Sequence, residues 1–227
     1  MPTDRPPLLA IFDHDGVLVD SLDLHQRAWV EMGRRSGLPI TADFVRETFG
    51  MTNPSMFRKL LGEAFADDDI RRHSDTKEEC YRALALGRVV LMDGVRDLLD
   101  GLTAAGFRLA IGSSAVRANL ELTVGACGLG GRFASIASAE DITRGGKPDP
   151  EVFLVAARRA GVEPGHSVVF EDAVVGIRAA RAAGMMAVGV TTHHPARSLR
   201  DAGADQVVDT LRGFDVDALA RSLLARG

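Results

Sequence analysis

Short apolar runs alternate with longer segments of helical periodicity over most of this chain. Each run is bounded by polar or charged residues, which is typical of a strand buried on both faces. The predicted strands are residues 8–12, 108–112, 167–170 and 185–190, and the predicted helices are residues 94–104, 116–127, 150–159 and 173–183. This alternation predicts an α/β fold in which helices cover both faces of a parallel sheet.

The alternation is interrupted after the first strand. From residue 18 to residue 86 the pattern predicts no strand. Helical spacing instead indicates helices near residues 22–32, 44–49, 57–65 and 67–86. A helical segment of this length can form a small core of its own. We therefore predict a core domain of residues 1–17 and 91–227, with an all-helical domain of residues 18–90 inserted into it.

Composition excludes several classes of protein. Of 227 residues, 46% are hydrophobic and 26% are charged, and the formal net charge is −4. That balance gives no electrostatic reason to bind nucleic acid or an anionic membrane, and no apolar run is long enough to span a bilayer. Cys80 and Cys127 form neither a disulfide framework nor a zinc motif. Together with a polar N-terminus that lacks the features of a secretion signal, they predict a cytoplasmic protein.

Candidate chemistry lies at the carboxyl ends of the predicted strands, where parallel sheets bind ligands. Asp13 and Asp15 follow the first strand, and Gly16 permits a tight turn that directs both carboxylates into one cleft. Paired carboxylates can hold a divalent cation, and one of them can also attack or transfer a proton. The pattern by itself fits a solvated turn better. An EF-hand calcium loop is excluded, because Leu24 stands where that loop requires a glutamate.

Further polar residues occupy the equivalent positions after later strands or before helices. These residues are Ser113, Ser114, Lys147, Glu171 and Asp172. Each alone fits an ordinary cap, turn or surface residue. Two acidic pairs, a hydroxyl and a lysine facing one cleft are what phosphoryl transfer requires. A divalent cation offsets the repulsion between an aspartate nucleophile and a phosphate, while the lysine and the hydroxyl hold phosphate oxygens.

These residues, in this order, resemble the motifs of the haloacid dehalogenase-like hydrolase superfamily. The four motifs correspond to residues 12–21, Ser113, residues 146–150, and residues 170–172 with Gly176. The likeness extends from about residue 8 to residue 192. It implies a Rossmann-like parallel-sheet core with a four-helix cap. Within the superfamily, the likeness is greatest to the β-phosphoglucomutase and sugar-phosphate phosphatase group.

The resemblance implies a role for each motif residue. Asp13 would be the nucleophile, and Asp15 the acid/base that protonates the leaving alcohol and then activates water. Mg²⁺ would be held by Asp13, the backbone carbonyl of Asp15 and Asp172, with Glu171 as a direct or indirect partner. Dehalogenases of this superfamily lack an acid/base at the position of Asp15, which argues against dehalogenation. The residues implied to bind the transferring phosphate are Ser113, Ser114 and Lys147.

Two positions in the helical insert bear on the substrate. His25 matches a cap-entry histidine of the mutase group, and it fits a packed helix histidine beside Trp29 equally well. Asn53 stands where the mutases carry an arginine that grips the substrate's second phosphate. A neutral amide cannot replace a bidentate guanidinium there, which favours hydrolysis over isomerisation. The basic residues that could compensate from elsewhere are Arg46, Arg58, Lys59, Lys77 and Arg82.

We therefore predict a magnesium-dependent phosphatase that hydrolyses a small phosphorylated metabolite, such as a sugar or polyol phosphate, through an aspartyl-phosphate intermediate. It would act as a monomer or small homo-oligomer, without nucleic-acid or membrane partners. The alternative is a phosphomutase of the β-phosphoglucomutase type. A signalling receiver domain is too short and lacks such an insert, and a catalytically silent metabolite-binding protein remains open. His193 and His194 follow the last predicted strand and are interpreted as loop residues.

Overall fold

A six-stranded parallel sheet forms the centre of the structure, a computed structural model that describes residues 6–63 and 65–226. The strands are β1 (Leu8–Phe12), β2 (Val19–Asp20), β3 (Val90–Leu91), β4 (Phe107–Gly112), β5 (Ser135–Ala137), β6 (Ser167–Glu171), β7 (Met186–Val190) and β8 (Gln206–Val208). The sheet has the order β5-β4-β1-β6-β7-β8, and every pairing in it is parallel. β1 is therefore a central strand, and all five of its residues are buried.

Helices cover both faces of this sheet. They are α5 (Val95–Ala104), α6 (Arg117–Ala126), α7 (Glu151–Ala160), α8 (Val174–Ala182), α9 (Ala196–Asp201) and α10 (Val216–Leu224). Side chains alternate between the two faces of a strand, so β1 contributes to two cores. Phe12 packs into the core formed with α5, α6 and α10, whereas Leu9 and Ile11 pack into the core formed with α7, α8 and α9. Burial on both faces explains why the strand sequences are apolar throughout.

The insert after β1 is helical and has its own core. Its helices are α1 (Leu22–Ser36), α2 (Ala42–Glu47), α3 (Asn53–Leu61) and α4 (Asp67–Ala85). Trp29, Met32 and Phe57 are among the buried side chains between these helices. The side chain of Thr41 accepts a hydrogen bond from the N–H of Phe44 at 3.2 Å, and so caps the start of α2. We call these four helices the cap.

The two connections between the cap and the sheet run side by side. β2 leads into the cap and β3 leads out of it, and the two strands pair antiparallel, with Val19 opposite Leu91. This short ribbon fixes the entry and exit of the insert next to each other. The predicted domain boundaries, residues 18 and 90, lie beside this ribbon and remain a prediction.

The predicted fold class is confirmed. Each predicted strand and helix of the core ends within one residue of the observed element. The prediction that residues 18–86 contain no strand is wrong, because β2 lies there, and the second and third cap helices end earlier than predicted. The pattern also missed the strands β3, β5 and β8, which are two or three residues long and therefore too short to show a strand period. It missed the helices α9 and α10 as well. Within residues 6–63 and 65–226, no helix is both long and apolar enough to cross a membrane.

Candidate active site

Three neighbouring strands bring predicted site residues to one edge of the sheet. Asp13 directly follows β1, Ser113 follows β4 and Asp172 follows β6. Because β1 lies between β4 and β6, the carboxyl ends of these parallel strands lie side by side. The N–H of Asp13 donates to the carbonyl of Phe170 at 3.0 Å, which extends the pairing of β1 and β6 to the site itself.

Three buried carboxylates meet at this edge, and we call them the acidic cluster: Asp13, Glu171 and Asp172. One oxygen of each lies within 4.8 Å of the others. Oδ1 of Asp172 is buried and has no hydrogen-bond partner within the described part of the chain. Oxygen ligands at this spacing are what a hard divalent cation prefers, and such a cation would satisfy the unpaired oxygen. The residues therefore fit a magnesium ion.

Lys147 is the cation of the site. Its Nζ lies 2.9 Å from Oδ1 of Asp13 and 2.5 Å from Oε1 of Glu171, and its side chain is fully buried. Burial alone lowers the pKa of a lysine, but these two carboxylates outweigh it and raise the pKa of Lys147 above its usual value. The lysine is thus charged. One ammonium faces three carboxylates, so the site keeps a deficit of positive charge.

Burial also changes the carboxylates themselves. It raises the pKa of Glu171 to about 8, and the nearby charges of Asp13 and Asp172 act in the same direction against Lys147. Burial raises the pKa of Asp172 as well, although a close contact with His193 opposes it. Carboxylates whose ionisation is unfavourable gain most from a cation, so metal binding here would release protons.

Ser113 and Ser114 line the same edge. The Ser113 hydroxyl is buried and accepts a hydrogen bond from the N–H of Ala115 at 3.2 Å, which leaves its proton available to a ligand. Oγ of Ser114 is buried without a hydrogen-bond partner in residues 6–63 and 65–226. Both serines border the cavity described below, where they can donate to an anionic oxygen.

Two glycines are required by close approach. Gly16 has φ +80°, and a Cβ at this position would overlap the side chains of Asp172 and His193. A Cβ at Gly176 in α8 would overlap the carboxylate of Glu171. Any larger residue at either position would displace a member of the acidic cluster.

The side chain of Asp15 lies outside the acidic cluster and faces the cap. Its Oδ1 accepts a hydrogen bond from Ser21 at 2.5 Å, and lies 3.1 Å from Nδ1 of His14 and 3.2 Å from Nε2 of His25. Burial opposes ionisation, but the two histidines hold the pKa of Asp15 well below its usual value. A metal contact by this residue would therefore use its backbone carbonyl, as the resemblance implies.

A cavity lies between the cap and this edge of the sheet, with about 40 Å³ of space for a bound molecule. Its lining includes Asp13, Asp15 and Ser113 from the core domain and His25 and Asn53 from the cap. The structure thus places the predicted nucleophile, the predicted acid/base and both predicted cap residues around one space.

Inside the cap, His25, Lys77 and Glu78 form a second buried polar group, which we call the cap cluster. Nδ1 of His25 lies 3.0 Å from Nζ of Lys77, and Nζ of Lys77 lies 2.9 Å from Oε1 of Glu78. Burial, reinforced by Lys77, lowers the pKa of His25 and keeps the ring neutral. His25 also stacks on Tyr81, with ring centroids 4.1 Å apart. The histidine is therefore both packed and part of the site.

Asn53 does not take the place of a substrate-gripping arginine. Its Nδ2 donates to Oε1 of Glu78 at 2.7 Å. Of the five basic residues that could compensate, Lys77 lines the cavity, while Arg46 and Arg58 pair with acidic residues of the cap surface. Lys77 was one candidate among five from sequence, and Glu78 was not predicted at all.

Two further residues escaped the sequence interpretation. His193 and His194 lie in the loop after β7, as predicted, yet both contact Asp172. Nδ1 of His193 meets its carboxylate, and Nδ1 of His194 lies 3.0 Å from its carbonyl oxygen. The His193 ring also meets Phe49 of the cap edge-on, with centroids 4.9 Å apart. The sequence offered one signal for His193 and His194 as site residues, which is that they follow the carboxyl end of a predicted strand.

Comparison with known proteins identifies the family. A model of the haloacid dehalogenase-like hydrolases matches residues 8–184. The chain belongs to the haloacid dehalogenase-like hydrolase family. The resemblance inferred from its four motifs is thereby confirmed.

Named relatives and a solved structure agree with this assignment. A validoxylamine A 7'-phosphate phosphatase from Streptomyces hygroscopicus is 35% identical over 86% of this chain and 90% of its own. A chloroplastic 5-amino-6-(5-phospho-D-ribitylamino)uracil phosphatase from Arabidopsis thaliana is 33% identical over 93% of this chain, which spans 57% of that relative's length. The crystal structure of a β-phosphoglucomutase from Clostridium difficile has a TM-score of 0.83, at 24% identity, covering 96% of this chain and 97% of that one. It therefore shares the fold.

Proposed function

We propose that this hydrolase is a magnesium-dependent phosphatase that cleaves a small phosphorylated metabolite, a sugar or polyol phosphate, through an aspartyl-phosphate intermediate. The observation that carries the proposal is that Asp13, which lines the cavity between core and cap, meets Lys147 and two further buried carboxylates. Two relatives named as phosphatases of small phosphorylated compounds support the substrate class.

The acidic cluster and the carbonyl of Asp15 would hold the magnesium ion. When bound, it offsets the charge of the phosphate and of the carboxylate that attacks it. Lys147 supplies the remaining positive charge beside Asp13, and the Ser113 and Ser114 hydroxyls donate to phosphate oxygens. These residues make the approach of one anion to another possible.

The reaction has two steps on the chain's own residues. An oxygen of Asp13 attacks phosphorus, the bond from phosphorus to the ester oxygen breaks, and Asp15 gives its proton to the departing alkoxide. Water then attacks phosphorus, Asp15 takes the water's proton, and the bond to Asp13 breaks to release phosphate. The contacts of Asp15 with Ser21, His14 and His25 favour its ionised form, which is the form required for the second step, so Asp15 has to take up a proton from solvent before the first step.

The cap favours hydrolysis over isomerisation. A mutase must hold a second phosphate at the far end of the cavity while the sugar turns round. The amide of Asn53, at the position of the mutase arginine, is bonded to Glu78, so it offers no cation for that phosphate. Water is then the acceptor of the phosphoryl group.

The direct test is phosphate release from a panel of sugar, polyol and glycolate phosphates with Mg²⁺, by the wild type and Asp13→Asn. We expect the variant to lose at least about 10⁴-fold in kcat, because it lacks the nucleophile, and EDTA to abolish wild-type release. Asp97→Asn, the same change at an exposed position in α5, is the control and should retain activity. Turnover by a folded Asp13→Asn protein would refute the mechanism. Isomerisation of glucose 1-phosphate faster than phosphate release would restore the mutase alternative.

We further propose a cytoplasmic protein that acts as a monomer or small homo-oligomer, with a small metabolite as its partner and neither nucleic acid nor membrane. The net charge of −4 supports this. Sedimentation of the purified protein, with and without DNA or anionic vesicles, tests the oligomeric state and both exclusions.

A further inference from the structure

The cap contributes a buried carboxylate to the lining of the cavity. Glu78 lies on α4, borders the cavity and is 6% exposed. It accepts hydrogen bonds from three donors: Nδ2 of Asn53 at 2.7 Å, Nζ of Lys77 at 2.9 Å and Nδ2 of Asn119 at 2.5 Å. Burial disfavours its charged form, but the charge of Lys77 and the hydrogen bonds from Lys77 and Asn53 act against burial, and the pKa of Glu78 is below its usual value. The group is an anion.

Within the described part of the chain, no unpaired lysine or arginine lines the cavity beside Glu78. Among the described residues that line the cavity, Lys77 is the one lysine or arginine, and its ammonium is already paired with Glu78. The nearby neutral groups are the His25 ring and two amides. A second phosphate placed here would meet a carboxylate, and the described residues lining the cavity hold no unpaired cation to offset it; juxtaposed like charges in a desolvated site are strongly unfavourable.

Glu78 also lies where the two domains meet. Asn119 belongs to α6 of the core, so its bond to Glu78 crosses from the core to the cap. Nη1 of Arg82 lies 3.4 Å from Oδ1 of Asn119, an orientation that points the Asn119 NH₂ group at Glu78. A carboxylate has about four acceptor positions, and three are used, so a hydroxyl of a bound molecule can take the remaining one. A phosphate dianion has no proton to offer it.

We propose that Glu78 determines the substrate's leaving group: it accepts an uncharged, hydroxyl-bearing group and rejects one that carries a second phosphate. This inference rests on the proposed phosphatase function and adds a residue that sets its specificity. Glu78 acts on the far end of the substrate and not on the reacting phosphate, so it alters the choice between substrates more than the rate of the chemical step.

The test compares matched pairs of compounds that differ by one phosphate: fructose 1-phosphate with fructose 1,6-bisphosphate, and glucose 1-phosphate with glucose 1,6-bisphosphate. We expect the wild type to prefer the monophosphate in kcat/KM by about 100-fold, as like-charge repulsion predicts. Glu78→Gln keeps the shape and removes the charge. In this variant the ratio of kcat/KM for the monophosphate to kcat/KM for the bisphosphate should fall at least about tenfold, mainly because KM for the bisphosphate falls.

Glu79→Gln is the matched control, since it removes the same charge from the next residue, which is exposed. It should leave the preference unchanged. Asn53→Lys brings a cation to Glu78 from a half-buried position and should narrow the preference in the same way, which keeps the test decisive if Glu78→Gln does not fold.

Equal use of both members of a pair by the wild type would overturn the inference, and so would an unchanged preference in Glu78→Gln and Asn53→Lys. Failure of the proposed function looks different: the wild type would release no phosphate from any compound, p-nitrophenyl phosphate included. The preference is then measured by calorimetric binding of the same pairs to Asp13→Asn with Mg²⁺. The monophosphate should still bind more tightly, and equal binding would contradict the role of Glu78.

Discussion

The acidic cluster of the core and the cap cluster face the same cavity, yet their charges are balanced differently. At the sheet edge, Lys147 faces three carboxylates. In the cap, Lys77 faces one carboxylate, and neutral donors complete the set. Burying unpaired charge is costly, so the first arrangement is satisfied only with a cation, whereas the second needs no ligand. Under the proposed function, the acidic cluster would bind metal and perform the chemistry, and the cap cluster would select the substrate.

The prediction with the largest expected effect replaces each of the two buried lysines, Lys147 and Lys77, with methionine. Lys147→Met leaves Asp13 and Glu171 without their cation, and at pH 8 without metal it should cost about 3–5 kcal/mol of unfolding free energy. Lys77→Met leaves Glu78 with two amide donors and should cost about 1–3 kcal/mol. Urea unfolding in EDTA measures both.

Turnover should separate the same two variants. Lys147 touches the nucleophile, so its loss should abolish phosphate release. Lys77 contacts His25 and Glu78 and not Asp13, so its loss should raise KM more than it lowers kcat. If both variants lost the same unfolding free energy and the same activity, the two clusters would not differ in how their charges are balanced.

A second test uses pH and metal. Because burial raises the pKa of Glu171 from 4.5 to about 8, the folded protein holds this proton more tightly than the unfolded chain. Without metal, protonated Glu171 therefore contributes stability that is fully present below about pH 4.5. This contribution, a few kcal/mol, is lost as pH rises through 8. Mg²⁺ binds the ionised, folded form and should restore stability at pH 8. Thermal unfolding near pH 5 and pH 8, in EDTA and in Mg²⁺, measures this.

Glu171→Gln serves as the control, because it removes the titrating group while keeping a hydrogen-bonding side chain of similar size. Its stability in EDTA should change much less between the two pH values. A wild type whose metal-free stability rises steadily from pH 5 to pH 8 would show that the acidic cluster is not short of positive charge.

The two clusters also differ in how far sequence could predict them. Asp13, Ser113 and Asp172 each follow an apolar strand directly, and parallel strands bring such positions to one edge. Lys147 precedes a helix that faces the same cleft, and the family resemblance implied that it binds the transferring phosphate. The strands that were missed, such as β5 and β8, carry none of these residues, so the errors in the fold did not affect the prediction of this edge.

The cap cluster has no comparable marker. Lys77 and Glu78 lie in a helix with charges on every side, where such a pair ordinarily faces solvent. One signal existed: Lys77 lies seven residues after Ile70 and four before Tyr81, which places it on the buried face of α4. Asn119 comes from a different domain, and its contact with Glu78 depends on how the cap packs on the core, which helical periodicity does not specify.

The smallest expected effect concerns His25 and has the opposite sign to that of Glu171. Burial and Lys77 lower the pKa of His25 below its usual 6.5, so the unfolded chain binds this proton more readily than the folded one. The neutral ring therefore contributes stability that is present above about pH 6.5 and is lost as pH falls through its folded pKa.

In saturating Mg²⁺, which keeps Glu171 from titrating, the wild type should lose about 1 kcal/mol more than His25→Gln between pH 7 and pH 5.5. His166→Gln, at a half-exposed position outside the cap, should behave like the wild type. If His25→Gln and the wild type lose the same stability between pH 7 and pH 5.5, the His25 ring does not titrate against Lys77. The cap cluster would then tolerate acid, as the acidic cluster does without metal.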